Sequence, residues 1–264
     1  MARKKHLQDV CAEDMELIDA SLRGSSAKDY NPTYANYDFK VAIKCKNQKQ
    51  KEFLNALKND DKQICIGVGA AGSGKSYISL AYALSMLKNS YGKYKNIVIV
   101  IPTALAGHPS MNIGFLPGTY EDKIQNFIAA DNYTFEKILN DSGIYSAKQI
   151  VDGLVRNGVI RYEIVSYLRG RTFADSLILL NECENLNKDE MLLTLTRVGE
   201  NSKLILTGDT RQCDRNDIVS KKSSGIEYAI SKLGELDEVS ITAFTKEDVV
   251  RNPLITKILD AWDD

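Results

Sequence analysis

The chain is expected to fold as an α/β domain, a mostly parallel sheet covered by helices on both faces. Three observations say so. Six short apolar runs read as buried strands, helical stretches alternate with them, and a glycine-rich turn joins the first of those runs directly to a helix. With 264 residues and 44% hydrophobic content the chain is long enough to bury a substantial core.

In order, residues 7–22 place Leu7, Val10, Cys11, Met15, Ile18 and Leu22 near helical spacing before Gly24, which predicts an amphipathic helix. Residues 25–39 turn to Ser, Asn, Pro, Asp and Tyr and read as a connecting segment, so an extension 1–40 is expected to precede a core at 41–264. A helix is predicted at 48–58, a strand at 64–68, a helix at 77–87 and a strand at 96–101. Residues 102–119, with three prolines and three glycines, are too irregular for an element and read as a loop at the rim of a site. Two or three short helices are expected over 120–157, as an insertion before a strand at 159–165. The apolar strand 176–180 ends in Asn181-Glu182, and Asn187-x-x-Glu190 supplies a capping box for a helix that Gly199 stops. A strand at 203–207, a polar loop at 208–222, a helix opened by Ser224-x-x-Glu227 and ended at Gly234, a strand at 239–244 and a helix from Pro253 complete the pattern.

The turn between the first strand and its helix is Gly69-Ala70-Ala71-Gly72-Ser73-Gly74-Lys75-Ser76, which fits G-x-x-x-x-G-K-[ST] at every fixed position. Glycines let backbone N–H groups curl around phosphate oxygens, and the helix N-terminus adds partial positive charge. Lys75 then reaches the outer phosphates and the Ser76 hydroxyl ligates magnesium. The expected fold is therefore a P-loop NTPase, with a nucleoside triphosphate and magnesium as its ligands.

Phosphate binding alone is not hydrolysis, which needs an acidic site on a neighbouring strand. Residues 177–180 bury a strand whose end presents Asn181 and Glu182 to the crevice where open α/β sheets bind ligands. Glu182 is the candidate base. Asn181 stands at the metal position, where an amide accepts hydrogen bonds without bringing charge. A third strand leads into Thr207-Gly208-Asp209-Thr210-Arg211-Gln212, where Gln212 is the candidate γ-phosphate sensor.

Several pieces together resemble the PhoH-like ATPases, whose core is similar to the motor domain of superfamily-one helicases. They are Gln48, the loop 69–76, the run 114–118, the run 167–173, Asn181-Glu182, the run 195–199, Ser202-Lys203, Gly208-Asp209, Gln212, Asp214 and Asp248-Val249-Val250-Arg251. The resemblance spans roughly 41–264. It implies a P-loop ATPase of RecA-like fold, using ATP and magnesium, that binds or unwinds RNA or DNA and is assembled as a hexameric ring. It also implies that Gln48 reads adenine, Lys75 and Ser76 contact phosphate and magnesium, Glu182 activates water, and Gln212 senses the γ-phosphate. Arg251 is the first choice for an arginine finger, with Arg171 and Arg197 behind it. Three positions depart from the family pattern. Asn181 replaces an aspartate, Glu184 replaces a glutamine, and Ile101 precedes Pro102 where an arginine is usual. With 40 residues before the core, no nuclease domain is expected there, as in members carried by bacteriophages.

The net charge of −1 gives no global pull toward nucleic acid or membrane, so any nucleic-acid surface is a local patch. Candidates are Lys44, Lys46, Lys49 and Lys51, then Arg156, Arg161, Arg169 and Arg171, then Lys221 and Lys222, with Tyr91, Tyr94 and Tyr167 as stacking residues. Five widely spaced cysteines without C-x-x-C suggest neither a disulfide framework nor a zinc knuckle and fit a reducing cytoplasm. No apolar stretch serves as a signal peptide or membrane span. Beside the motor stands a second class, a nucleotide-dependent assembly or switch module acting on a protein partner.

Overall fold

The computed structural model describes residues 40–87, 93–102, 104–105, 108–112, 120–213, 215, 218–219 and 224–250, with backbone alone at 104–105, 108–112, 120–123 and 126. The expected helices at 7–22 and from Pro253 lie outside the described residues, as do 114–118, Asp214, Lys221, Lys222, Tyr91 and Arg251. In chain order the described elements are α1 (Gln48–Lys58), β1 (Ile64–Gly69), α2 (Lys75–Met86), β2 (Asn96–Ile101), β3 (Ala104–Leu105), β4 (His108–Asn112), α3 (Tyr120–Asp141), α4 (Ala147–Arg156), β5 (Ile160–Ile164), β6 (Ser176–Leu180), α5 (Lys188–Leu195), β7 (Lys203–Gly208), α6 (Gly225–Leu233) and β8 (Val239–Phe244).

Six strands form one parallel sheet in the order β5-β2-β6-β7-β1-β8. The expected α/β fold is thus present. Alternation along each strand divides the core: Ile97, Ile99 and Ile101 of β2 face one cluster, while Val98 and Val100 face the other. The first cluster takes Phe53 and Leu57 of α1, Ile78 and Tyr82 of α2, Phe135 and Ile138 of α3, and Val151 of α4. The second takes Met191 of α5 and Ile226 and Ala229 of α6. Both faces are covered, which is why β6 and β7 are apolar on both sides.

The polar side chains buried in β7 are Thr207 and, at the start of the strand, Lys203. Its Nζ donates to the carbonyls of Leu57 and Asn59, so it satisfies oxygens left open at the end of α1. Helix starts follow their predicted chemistry. Asn187 accepts from Asp189 N and Glu190 N while Glu190 Oε2 accepts from Asn187 N, and Ser224 Oγ accepts from Glu227 N.

Three expectations need correction. Residues 104–112 contain a two-stranded antiparallel ribbon, β3 with β4; such a ribbon is all edge, so Pro109 removes no required ladder donor. The insertion 120–157 is one helix of 22 residues and one of 10, where uneven apolar spacing had suggested shorter pieces. Finally, α5 ends at Leu195, four residues before Gly199. There the chain turns to pair with Phe173, and Gly199 N donates to Phe173 O at 2.8 Å.

Candidate functional site

Every strand of the main sheet points the same way, so the ends of β1, β7 and β6 emerge side by side on one edge. β1 delivers the glycine loop, β7 delivers Thr207 and Asp209, and β6 delivers Asn181 and Glu182. Because β7 lies between the other two, its end bridges them. Leu180 pairs with Leu206, which brings Asn181 level with Thr207. Thr207 Oγ1 donates to Asn181 Oδ1 at 2.7 Å and lies 3.3 Å from Ser76 Oγ. The two residues predicted for the metal are thus linked through one threonine hydroxyl.

The loop is braced on several sides. Ala70 N donates to Phe244 O at 3.4 Å, Ala71 N to Asp209 Oδ2 at 3.1 Å, and Val250 N to Gly72 O at 3.1 Å. Gly69 has φ +118°, and a Cβ there would stand 1.9 Å from Phe244 O. Gly69→Ala is therefore expected to lower stability by more than about 1 kcal/mol, read as an earlier urea midpoint. Gly74 opens α2 at φ +86°, and a Cβ there would stand 2.7 Å from Gln50 Nε2.

That contact distinguishes the two glutamines of α1 by position. Gln48 is exposed at the first residue of α1, while Gln50 is buried and lies against the loop. Gln50 Nε2 donates to Ser73 O at 2.7 Å, and its Oε1 accepts from Lys46 N at 2.6 Å. Asn47 caps the helix by accepting from Gln50 N at 2.8 Å and donates to Asp248 O at 2.9 Å. Helical phase separates the two glutamines, since Gln50 shares its face with Phe53, Leu54 and Leu57.

Lys75 is 7% exposed, and its Nζ donates to Gly69 O at 2.6 Å, Ala70 O at 2.9 Å and Ser73 Oγ at 3.3 Å. Burial lowers its ammonium pKa, while Asp209, Glu184 and Glu182 pull the other way. Glu182 is exposed and has φ +56°, a left-handed backbone that only a tight setting imposes on a glutamate. Beyond it Glu184 is 1% exposed, and burial together with Glu182 holds its carboxyl well above the usual carboxylate range.

A cavity of about 860 Å³ opens here, lined at the loop end by Gln50, Gly72, Gly74, Ser76, Asn181 and Glu182. It continues past Pro102 to Phe127, Asp131, Thr134 and Lys137 of α3, with Lys44 and Lys46 on its wall. Asp131 is pushed up to about 7 by burial. Gln212 is exposed in the turn after β7 and does not line this cavity; its N–H donates to Asp209 O at 2.8 Å.

Two of the arginines are engaged elsewhere. Arg197 donates to Leu193 O, Leu168 O, Arg171 O and Thr196 Oγ1, so its guanidinium fastens the end of α5 to the turn after β5. Arg171 pairs with Glu163 at 2.6 Å. Arg251 lies outside the described residues, although Val250 just before it is hydrogen-bonded to the loop at Gly72. Among the stacking candidates Tyr94 is buried in the core and unavailable, whereas Tyr167 is 48% exposed.

The family model that matches is the PhoH-like protein family, over residues 42–263. The chain belongs to the PhoH-like family. A PhoH-like protein of Bacillus subtilis is 32% identical over 222 residues, which are 84% of this chain and 64% of that one. A PhoH-like protein of Mycobacterium tuberculosis is 32% identical over 220 residues, 83% of this chain and 58% of that one. Protein PhoH of Escherichia coli K12 is 30% identical over 222 residues, with 83% and 58% covered. The chain thus spans about three-fifths of the length of these curated relatives. Among solved structures, the HK97 bacteriophage large terminase is similar with a TM-score of 0.46 at 14% identity, over 75% of this chain and 39% of that one.

The PhoH-like resemblance read from the motifs is therefore borne out. Among the described residues, no helix is long and apolar enough to cross a membrane, and no group of three His, Cys, Asp or Glu side chains could hold a metal by itself. Cys45, Cys65, Cys183 and Cys213 are free thiols.

Proposed function

We propose that this PhoH-like chain binds ATP with magnesium at loop 69–76 and hydrolyses it, with turnover coupled to single-stranded RNA or DNA in a ring of identical copies, six by the family resemblance. The observation that carries the reading is the convergence of Ser76, Asn181 and Glu182 on one cavity, through the hydrogen-bonded series Ser76, Thr207, Asn181, beside the loop whose oxygens hold Lys75. Lys75 and the loop N–H groups hold the phosphates, and Glu182 orients the attacking water. Gln50 takes the base-reading part first given to Gln48. Gln212 as sensor and Arg251 as finger complete the assignment, the latter serving this subunit or its neighbour.

The oxygen donors fit magnesium, which prefers hard ligands and accepts substrate phosphates among them. Ser76 and Asn181 would hold it, and it would neutralise charge on the phosphate oxygens. Both donors are uncharged. Asn181→Asp is accordingly expected to lower the magnesium concentration for half-maximal turnover by several-fold; an unchanged requirement would remove Asn181 from the metal site.

Lys44, Lys46 and Lys137 on the cavity wall support the nucleic-acid coupling, since each neutralised phosphate releases a counterion. Opposing it, Asp131 and Asp141 line the same cavity, and Ile101 occupies the position before Pro102. Those residues and neutral Asn181 favour the second reading, an ATP-driven assembly or switch module. The deciding experiment titrates single-stranded RNA and DNA into the turnover assay at low and moderate salt. Stimulation that salt suppresses and that Lys44→Ala/Lys46→Ala weakens is expected of the motor; indifference to either strand selects the switch.

A further inference from the structure

Glu184 lies in the short turn Cys183–Asn185 after β6, at the seam between the β6 and β7 ends. Its Oε2 accepts the Asp209 N–H at 3.1 Å, and Oε2 would be only 2.1 Å from a Cβ on Gly208, so the carboxyl is pressed against the end of β7. Its Oε1 is buried and accepts no hydrogen bond from any described residue. An ionised carboxylate in that position leaves an acceptor stranded, whereas a protonated one uses the same oxygen as a donor. The candidate acceptor is Glu182, two residues back, whose carboxylate acts on Glu184 and raises its pKa.

Among the described residues, the groups around the carboxyl offset a negative charge only in part. Facing it are Glu182 and Cys183 from its own segment, Asp209 from the end of β7 and Lys75 from α2. Lys75 is already held by the loop oxygens, and Arg215, which reaches Asn185 O, is paired with Glu190 at 2.6 Å. Burial and the Glu182 charge both raise the Glu184 pKa.

We propose that Glu184 works as a neutral carboxylic acid, a positioning residue that donates its hydrogen to Glu182 and accepts the Asp209 N–H, thereby fixing Glu182 relative to the loop. Asp209 itself accepts from Ala71 N through Oδ2, so the proposed donation to Glu182 would join Glu182 to a hydrogen-bonded series that runs through Glu184 and Asp209 to the loop backbone. Its importance for turnover rests on the reading of Glu182 as the water-orienting group; its protonation does not.

The test compares Glu184→Gln and Glu184→Ala with the unchanged protein in two assays. Glutamine keeps the shape, the donor and the acceptor but cannot titrate. In denaturant unfolding, the native state of the unchanged protein binds the Glu184 proton above the ordinary glutamate pKa of about 4.3 while the unfolded state has lost it. Its stability therefore falls as pH rises until the raised folded pKa is passed, and Glu184→Gln gains on it by about tenfold in folding equilibrium per pH unit over that window. Asp131 cancels because both proteins carry it. Parallel pH curves for the two proteins would overturn the proposal. In turnover, alanine is expected to cost about a hundredfold by misplacing Glu182, and glutamine to restore the rate and flatten its alkaline decline. A Glu184→Gln protein as slow as Glu184→Ala, or one keeping the alkaline decline, overturns the positioning role. Should alanine fail to fold, Glu184→Asp, too short to span both partners, takes its place. If no phosphate is released by any of them, the ATPase reading fails and the unfolding curves alone still decide the protonation.

Discussion

Lys75→Ala is expected to weaken ATP binding by at least about a hundredfold, near 3 kcal/mol, measured by titration calorimetry or a fluorescent analogue. The ammonium is buried among loop oxygens, where a charge acts through a low dielectric and a charge-assisted bond to phosphate counts for more than one in water. The loop has other braces, at Asp209, Phe244, Val250 and Gln50, so its shape survives the loss. Unchanged affinity in a folded variant would mean that phosphates bind elsewhere.

The second large effect belongs to Glu182. Glu182→Gln is expected to leave ATP affinity within about threefold while lowering kcat by roughly a hundredfold to ten-thousandfold, because a group that orients or deprotonates water acts in the transition state. The carboxylate is exposed at the cavity mouth, so the substitution creates no void. Its left-handed backbone is shared by both residues and carries no new strain. A change in KM with kcat intact would place Glu182 among binding residues.

Much of this site is legible in the chain because it is local. A glycine loop between an apolar strand and a helix carries its own geometry, and the strand 176–180 announces Asn181 and Glu182 by ending there. Other features depend on contacts between distant segments. Gln48 and Gln50 are equivalent as symbols, and only helix phase with the packing of Phe53 and Leu57 sets Gln50 on the loop. Arg197 resembles a finger until its guanidinium is seen holding three carbonyls. Tyr94 resembles a stacking residue until it is found 3% exposed. Thr207 read as one member of a polar turn, yet β7 lies between β1 and β6 and makes its hydroxyl the link between Ser76 and Asn181. Glu184 is the clearest instance. Its raised pKa comes from burial and from Glu182, neither of which its own letter reveals.

The measurement closest to the central claim is phosphate release by the purified chain with ATP, with and without magnesium, beside Lys75→Ala and Glu182→Gln. Saturable, magnesium-dependent release that falls to background in both variants, with ATP still bound by Glu182→Gln, is the predicted result. Release that persists in Lys75→Ala, or bound ATP that the unchanged protein never cleaves with or without single strands, would contradict it.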